Sequence, residues 1–188
     1  MREVSSSPLT EREKRGLLRL ARGTIAGWLG RDASPVDPSD LPAGNGGAFV
    51  SLHRRGTLRG CIGTFAADQP VTDTVREMAV AAASSDPRFD PVTDAELDAL
   101  DIEISVLSPR RRVASVDEIQ VGVHGLSIQR GACRGVLLPQ VATKYGWDRE
   151  TFLEETCHKA GLPVDAWKDP STRVECFTAD VFAEDDPA

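Results

Sequence analysis

One cysteine of this chain lies between two glycines in the run L-R-G-C-I-G-T-F at residues 58–65, with an arginine two residues before it. The thiolate is the form of cysteine that attacks electrophiles and binds metals, and a nearby cation makes a thiol easier to deprotonate. Cys61 is therefore a candidate nucleophile and Arg59 a candidate anion ligand. Gly60 and Gly63 fit a strand that a ligand or another backbone approaches closely.

Each of these residues also has a structural interpretation. Free cysteine is among the most buried residue types, so Cys61 could simply be a small core residue. Arg59 could be a strand arginine paired with a carboxylate. The sequence leaves both alternatives open.

Two further residues could take part in chemistry. His124 lies in G-V-H-G at residues 122–125, where an imidazole could carry protons near neutral pH; the alternative is a turn histidine bonded to backbone. Arg88, in D-P-R-F at residues 86–89, could reach an anion in a cleft. Adjacent helical residues point roughly 100° apart, so Cys157 and His158 do not chelate a metal together. We expect Cys157 in the core and His158 in solvent.

A zinc site could be assembled from Cys61, His124 and a third ligand. However, the sequence has no short pair of ligands with zinc spacing, which structural zinc sites usually contain. It also has no phosphate-binding or dinucleotide-binding glycine motif. We therefore predict no metal and no cofactor.

Composition and charge narrow the class of protein. A net charge of -7 over 188 residues argues against nucleic-acid binding, which usually has a basic footprint. No apolar run approaches the roughly 20 residues that span a bilayer, so we expect no membrane contact. The first ten residues lack an apolar signal core. The four cysteines are scattered, which favours reduced thiols and a cytoplasmic location.

The hydrophobic pattern predicts helices and antiparallel strands without a regular βαβ alternation, which favours the α+β class. The predicted helices cover residues 10–29, 70–84, 93–100 and 148–160, and the predicted strands cover residues 48–53, 57–64, 101–107, 123–129, 133–138 and 173–182.

The first two strands form a predicted hairpin with a three-residue loop at residues 54–56. That register pairs Phe49 with Cys61 and places Arg59 on the same face as Cys61, about 7 Å away. Any general base for Cys61 must then come from elsewhere in the fold.

Five motifs occur in a fixed order along the chain. They are L-R-G-C-I-G-T-F at 58–65, S-D-P-R-F at 85–89, G-V-H-G-L at 122–126, L-L-P-Q-V-A at 137–142 and W-D at 147–148. This ordered set resembles the AmmeMemoRadiSam system protein A family, also called the AMMECR domain. The similarity covers about residues 12–183 as a single domain with two lobes, and leaves residues 1–11 and 184–188 as flexible termini.

The resemblance implies an α+β fold of two subdomains, mainly antiparallel sheet with flanking helices around a cleft lined by the signature strand. It also implies partners, because prokaryotic relatives are often encoded beside, or fused to, a Memo-type protein and a radical S-adenosylmethionine enzyme. The chain has no cluster of three nearby cysteines, so any radical iron–sulfur cluster belongs to a partner. The positions that match family motifs are Arg59, Gly60, Cys61, Gly63, Arg88 and His124.

The leading hypothesis is therefore the A component of such a system, which binds a small anionic molecule or a carried intermediate in the cleft. Cys61 would be the nucleophile or thiol anchor, Arg59 the electrostatic stabiliser and His124 the proton carrier of a cysteine-dependent enzyme that acts with a radical partner. Gly60, Gly63 and Arg88 would line the ligand site. The alternative is a non-catalytic module that docks a Memo-type protein or a radical enzyme. The sequence does not name the substrate or the reaction.

Overall fold

The computed structural model describes residues 9–184. Within them the chain forms two compact units, the first made of residues up to 107 together with residues from 180 onward, and the second of residues 108–179. Most of the predicted flexible termini, 1–11 and 184–188, lies outside the described residues. Leu9, the first described residue, is buried, and its N–H donates to Asp180 at 2.9 Å.

The first unit contains a three-stranded antiparallel sheet in the order β2-β1-β3. The strands are β1 (Ala48–Arg54), β2 (Thr57–Thr64) and β3 (Leu100–Leu107). Helices α1 (Glu11–Trp28) and α2 (Val71–Ser84) pack on one face of this sheet. Alternate residues of β1 and β3, including Val50, Leu52, Ile102 and Ile104, are fully buried there, because successive strand residues point to opposite faces.

Local sequence signals fix the ends of these helices. Thr10 accepts a hydrogen bond from the Glu13 N–H, and the Glu13 carboxylate accepts one from the Thr10 N–H at 2.8 Å. This capping box starts α1 at the predicted place. The predicted helix at 93–100 is a 3-10 turn, Asp94–Ala99, with its own capping box from Thr93.

The predicted register of the first hairpin is wrong. The loop has two residues, Arg55 and Gly56, whose φ values of 52° and 73° suit a two-residue hairpin turn. A bulge then shifts the register beyond His53, so Arg59 has no direct partner on β1. As a result Cys61 pairs with Ser51 and not with Phe49.

The second unit has an antiparallel sheet in the order β4-β7-β5-β6. Its strands are β4 (Arg111–Arg112), β5 (His124–Arg130), β6 (Cys133–Leu137) and β7 (Arg173–Ala183), whose last residues belong to the first unit. Helix α3 (Pro139–Tyr145) follows β6, and α4 (Arg149–Lys159) packs against β5 and β6.

The core of the second unit lies between α4 and one face of this sheet. Leu126 and Ile128 of β5 are fully buried there with Phe152 of α4. Antiparallel sheet and flanking helices confirm the predicted α+β class. Among residues 9–184, every helix is too short or too polar to cross a bilayer.

Candidate functional site

Cys61 lies on an outer strand, with both of its main-chain polar groups bound to side chains. Its N–H donates to Asp86 Oδ2 at 2.8 Å, and its carbonyl accepts from Arg88 Nη2 at 3.4 Å. These groups therefore point away from β1, which makes Ser51 and Cys61 a non-hydrogen-bonded pair with closely spaced side chains. The Ser51 hydroxyl donates to Cys61 Sγ at 3.2 Å. Cys61 as a residue is half-buried, between the buried Cys157 and the exposed Cys133.

Asp86 organises the edge of β2 from the turn that follows α2. Its side chain is 2% exposed and accepts from the Cys61 N–H, from the Arg88 N–H at 3.1 Å, and from Arg88 Nε and Nη2 at 2.9 and 2.7 Å. The Arg88 guanidinium is the largest cause that holds the pKa of Asp86 well below its usual range, and the two main-chain donors act in the same direction. A buried, ionised carboxylate therefore ties Cys61 to Arg88.

Arg88 supplies the cation beside the thiol. Hydrogen bonding to Asp86 is the main reason that the pKa of Arg88 lies above its ordinary value, and Cys61 adds a smaller attraction. The guanidinium is 55% exposed and lies 5.5 Å from the centre of the Phe89 ring. Its Nη1 has no hydrogen-bond partner among residues 9–184, so this nitrogen can receive an anion from solvent.

Arg59 is already committed to a carboxylate. Its Nε and Nη2 donate to Glu96 at 3.0 and 3.2 Å, and its Nη1 donates to the carbonyl of Asp90 at 2.8 Å. The Arg59 hydrogen bond is the largest cause that lowers the pKa of Glu96 to about 2. Arg59 as an anion ligand stays a prediction, and the structure gives its guanidinium a competing partner.

The sequence predicts that a ligand or another backbone approaches Gly60 and Gly63 closely, and in the structure other protein atoms do so. A Cβ on Gly60 would lie 2.2 Å from the carbonyl oxygen of Ala82 in α2, and a Cβ on Gly63 would lie 2.2 Å from the ring of Phe49. Gly60 therefore lets α2 pack on β2, whereas Gly63 lets an aromatic ring cover the strand beside Cys61. Both positions serve packing, which is one of the two roles that the sequence allows for them.

His124 begins β5, in the second unit. Its Nδ1 accepts a hydrogen bond from the Gln120 N–H at 3.0 Å, as in a turn histidine bonded to backbone. Burial, followed by the positive charge of Arg111, lowers the pKa of His124 and favours the neutral ring. In the neutral ring Nε2 then carries the proton, so proton transfer would have to use Nε2.

The structure thus brings Cys61, Arg88, Arg59 and both glycines into one unit and places His124 in the other. In the part of the chain that is described, no imidazole or carboxylate bonds to Cys61 Sγ, and no group of three metal-ligating side chains occurs.

The other cysteines differ from Cys61 in exposure. Cys157 is fully buried, as expected, and burial raises the pKa of its thiol. Cys176 is also buried, with its thiol pKa raised for the same reason, whereas Cys133 is exposed. The side chain of His158 is 77% exposed, which confirms that it faces solvent.

Asp86 is the residue of this site that the sequence did not single out. An aspartate just after a helix is common in turns, and its bond to Cys61 spans 25 residues of sequence. The one available signal was the motif S-D-P-R-F, in which Asp86 and Arg88 are two residues apart and can form an ion pair.

Comparison with known proteins gives consistent matches. Residues 18–182 match the AMMECR1 protein family. A protein of Methanothermobacter thermautotrophicus is 47% identical, covering 95% of this chain and 98% of its own, and one of Thermococcus kodakarensis is 42% identical, covering 91% and 90%. The crystal structure of an uncharacterized protein from Pyrococcus horikoshii superposes with a TM-score of 0.81 at 40% identity, covering 96% of this chain and 95% of that one.

Proposed function

Because the chain belongs to the AMMECR1 family, we propose that it is the A component of an AmmeMemoRadiSam-type system and holds a small anionic ligand at the Cys61 thiol. One observation carries the proposal: half-buried Cys61 lies beside the solvent-exposed side chain of Arg88, and a buried carboxylate bonds both the main chain of Cys61 and the Arg88 guanidinium. Because Asp86 is buried and ionised, it needs the Arg88 guanidinium and the two main-chain N–H groups as partners, and this pairing holds Arg88 at the strand edge beside Cys61.

In this proposal each residue of the site has a distinct role. Arg88 Nη1 binds one oxygen of a carboxylate or phosphate on the ligand, since guanidinium groups match these anions. This contact places the rest of the ligand over β2, where Cys61 acts as nucleophile or thiol anchor. Asp86 does not touch the ligand; it positions both residues. The proton-carrying role of His124 stays a prediction from the sequence, because His124 belongs to the second unit.

We further propose that a Memo-type protein and a radical S-adenosylmethionine enzyme are the partners, in the cytoplasm. Family membership supports this assignment. The thiol would present the ligand or a carried intermediate, and the radical chemistry would take place on the partner enzyme. The chain would then contribute binding and positioning.

The four cysteines allow an internally controlled test of this thiol. Native protein is treated with iodoacetamide, and peptide mass spectrometry follows each site. We expect Cys61 to react at least as fast as the exposed Cys133, while Cys157 and Cys176 stay unmodified until the protein unfolds. A Cys61→Ser variant should melt like wild type. Protection of Cys61 equal to that of Cys157 would contradict the proposal.

A second candidate function, a docking module, is favoured by an aromatic pair on the same strand face. The rings of Phe49 and Phe65 meet edge to face at 5.2 Å, and Phe49 pairs with Gly63, two residues from Cys61. Aromatic residues are enriched at protein interfaces. Sedimentation of the chain with a purified Memo-type protein separates the functions. A complex that survives Cys61→Ser and is lost in Phe65→Ala would favour docking.

A further inference from the structure

Four arginines lie on one face of the sheet in the second unit, opposite the face that packs on α4. Arg112 pairs with Glu175, and Glu175 with Ser127, in one row across the strands. In the neighbouring row Arg173 pairs with Gln129, and Gln129 with Arg134. Directly paired residues point to the same side of a sheet. We name this surface the arginine face: Arg110, Arg112, Arg134, Arg173, Glu175, Ser127 and Gln129.

Positive charge on the arginine face is not balanced. Glu175 is its one carboxylate, and it lies 3.7 Å from both Arg110 Nη1 and Arg173 Nε. Arg112 and Arg134 are exposed and have no ion pair among residues 9–184. In the first unit, by contrast, most arginines have a carboxylate partner at 3.2 Å or closer. Arg112 and Arg134 therefore add two positive charges to this face without a carboxylate partner in the described chain, although the net charge of the chain is -7.

The electrostatic effect is visible at Arg110. Burial is the largest cause that lowers its pKa, and repulsion from Arg134 and then Arg173 opposes the attraction of Glu175. Like charges that are held together near a surface are destabilising unless a counterion joins them. An anion bound among these side chains would remove that repulsion.

A second, independent observation concerns Ser127, a buried residue on the same face of the sheet. Ser127 is 1% exposed, and its hydroxyl has no hydrogen-bond partner within residues 9–184. Buried polar groups in proteins are nearly always bonded to protein, ion or water. Ser127 pairs directly with Glu175, so the two residues lie on the same face of the sheet. Ser127 thus leaves on this face a hydroxyl donor that no protein group of residues 9–184 accepts.

We propose that the arginine face binds the phosphate group of a small molecule. Guanidinium forks match phosphate oxygens, and a phosphate offers more acceptor oxygens than the two of a carboxylate, so several arginines can share it. The outer strands β4 and β6 are three strand spacings apart, about 14 Å, so one or two phosphate groups can reach arginines from both sides of this surface. The proposed site uses none of the residues assigned to Cys61 chemistry.

The test uses inorganic phosphate and pyrophosphate as probes, added to the full chain at constant ionic strength with chloride as the balancing anion. Amide NMR signals of Ser127 and Gln129 should shift and saturate. Arg112→Gln/Arg134→Gln should weaken pyrophosphate binding about tenfold or more, because two charge-assisted bonds are lost. The matched control is Arg15→Gln/Arg55→Gln, two exposed first-unit arginines with no ion pair in the described chain, which should bind like wild type.

Several results would overturn the proposal. Shifts that do not saturate, or equal affinity in the two double variants, would mean that no built site exists. Citrate binding as tightly as pyrophosphate would refute phosphate as the ligand class. Saturable binding of a single-stranded oligonucleotide, with none of pyrophosphate, would make the surface a nucleic-acid site. Alkylation of Cys61 should stay the same throughout, so failure here leaves the thiol proposal standing.

Discussion

Replacing Asp86 with asparagine should destabilise the first unit, although the two side chains have the same shape. Asp86 accepts from the main-chain N–H groups of Cys61 and Arg88 and from the Arg88 guanidinium. Asparagine keeps one acceptor oxygen and turns an N–H₂ donor toward groups that also donate.

The magnitude follows from this count of donors. A donor left without an acceptor in a buried place costs about 1–3 kcal/mol. The bond that survives loses its charge assistance and becomes about half as strong, roughly 1 kcal/mol less. The guanidinium is 55% exposed, so water replaces its lost contact and we count nothing for it. Asp86→Asn should therefore cost about 3 kcal/mol, or about 6–12 °C in melting temperature for a chain of this size.

Two measurements check the prediction. Urea unfolding at pH 7 should show the loss of free energy, and hydrogen exchange should show faster exchange of the Cys61 amide. Asp68→Asn is the matched control, because Asp68 is exposed and should change stability by less than about 0.5 kcal/mol. Equal stability of Asp86→Asn and wild type would refute the role given to Asp86.

The pH dependence gives a further check on the same variant. The folded-state pKa of Asp86 lies below its unfolded value, so ionisation of Asp86 stabilises the fold above the unfolded pKa of about 3.9. This contribution is lost as the pH falls below that value toward the folded pKa. The gap between wild type and Asp86→Asn should therefore be constant from about pH 5 to 8 and narrow below about pH 4. A gap that widens in acid would contradict it.

Three other predictions follow from the structure. Gly60→Ala should destabilise the chain by about 1–3 kcal/mol, because its Cβ would lie 2.2 Å from a helix carbonyl. Gly27 in α1 has open space around it, so Gly27→Ala should stabilise the chain by about 0.5–1 kcal/mol. Urea unfolding that reverses this order would refute the packing given to Gly60. Glu96→Gln should cost about 2 kcal/mol at pH 7, with the difference vanishing in urea melts as the pH falls from about 4.3 toward the folded pKa of about 2. His124 should titrate below about pH 6.5 with its proton on Nε2, and a higher NMR midpoint would contradict its burial.

The sequence predicts the elements of this fold better than their register. Alternation in residues 48–54 and 100–107 is strong, and both strands occur where expected. The first turn was mispredicted because Arg55 adopts a positive φ, which a non-glycine residue rarely does and which Arg-Gly does not signal as Asn-Gly would. Helix α3 was missed because L-L-P-Q reads as the end of a strand; a proline in the first turn was the available signal.

In the candidate site, too, the sequence predicts which residues matter better than it predicts their contacts. The motif containing Cys61 identified the candidate nucleophile, since chemistry follows residue type. The sequence does not show that Arg88 is the cation beside Cys61, because the bulge at Arg59 and the turn at Asp86 depend on contacts distant in sequence. Arg59 was expected beside the thiol by strand alternation alone, and a single inserted residue in β2 breaks that alternation.

We propose that Arg88, and not Arg59, makes Cys61 selective for anions. Alkylation rates by negatively charged iodoacetate and neutral iodoacetamide test it directly, with the ratio at Cys61 divided by the ratio at Cys133 in the same sample. An exposed cation a few ångströms away is worth about 1 kcal/mol, so Arg88→Gln should lower this ratio about fivefold, and Arg59→Gln should leave it unchanged. A ratio that survives Arg88→Gln, or that falls only in Arg59→Gln, would contradict the claim.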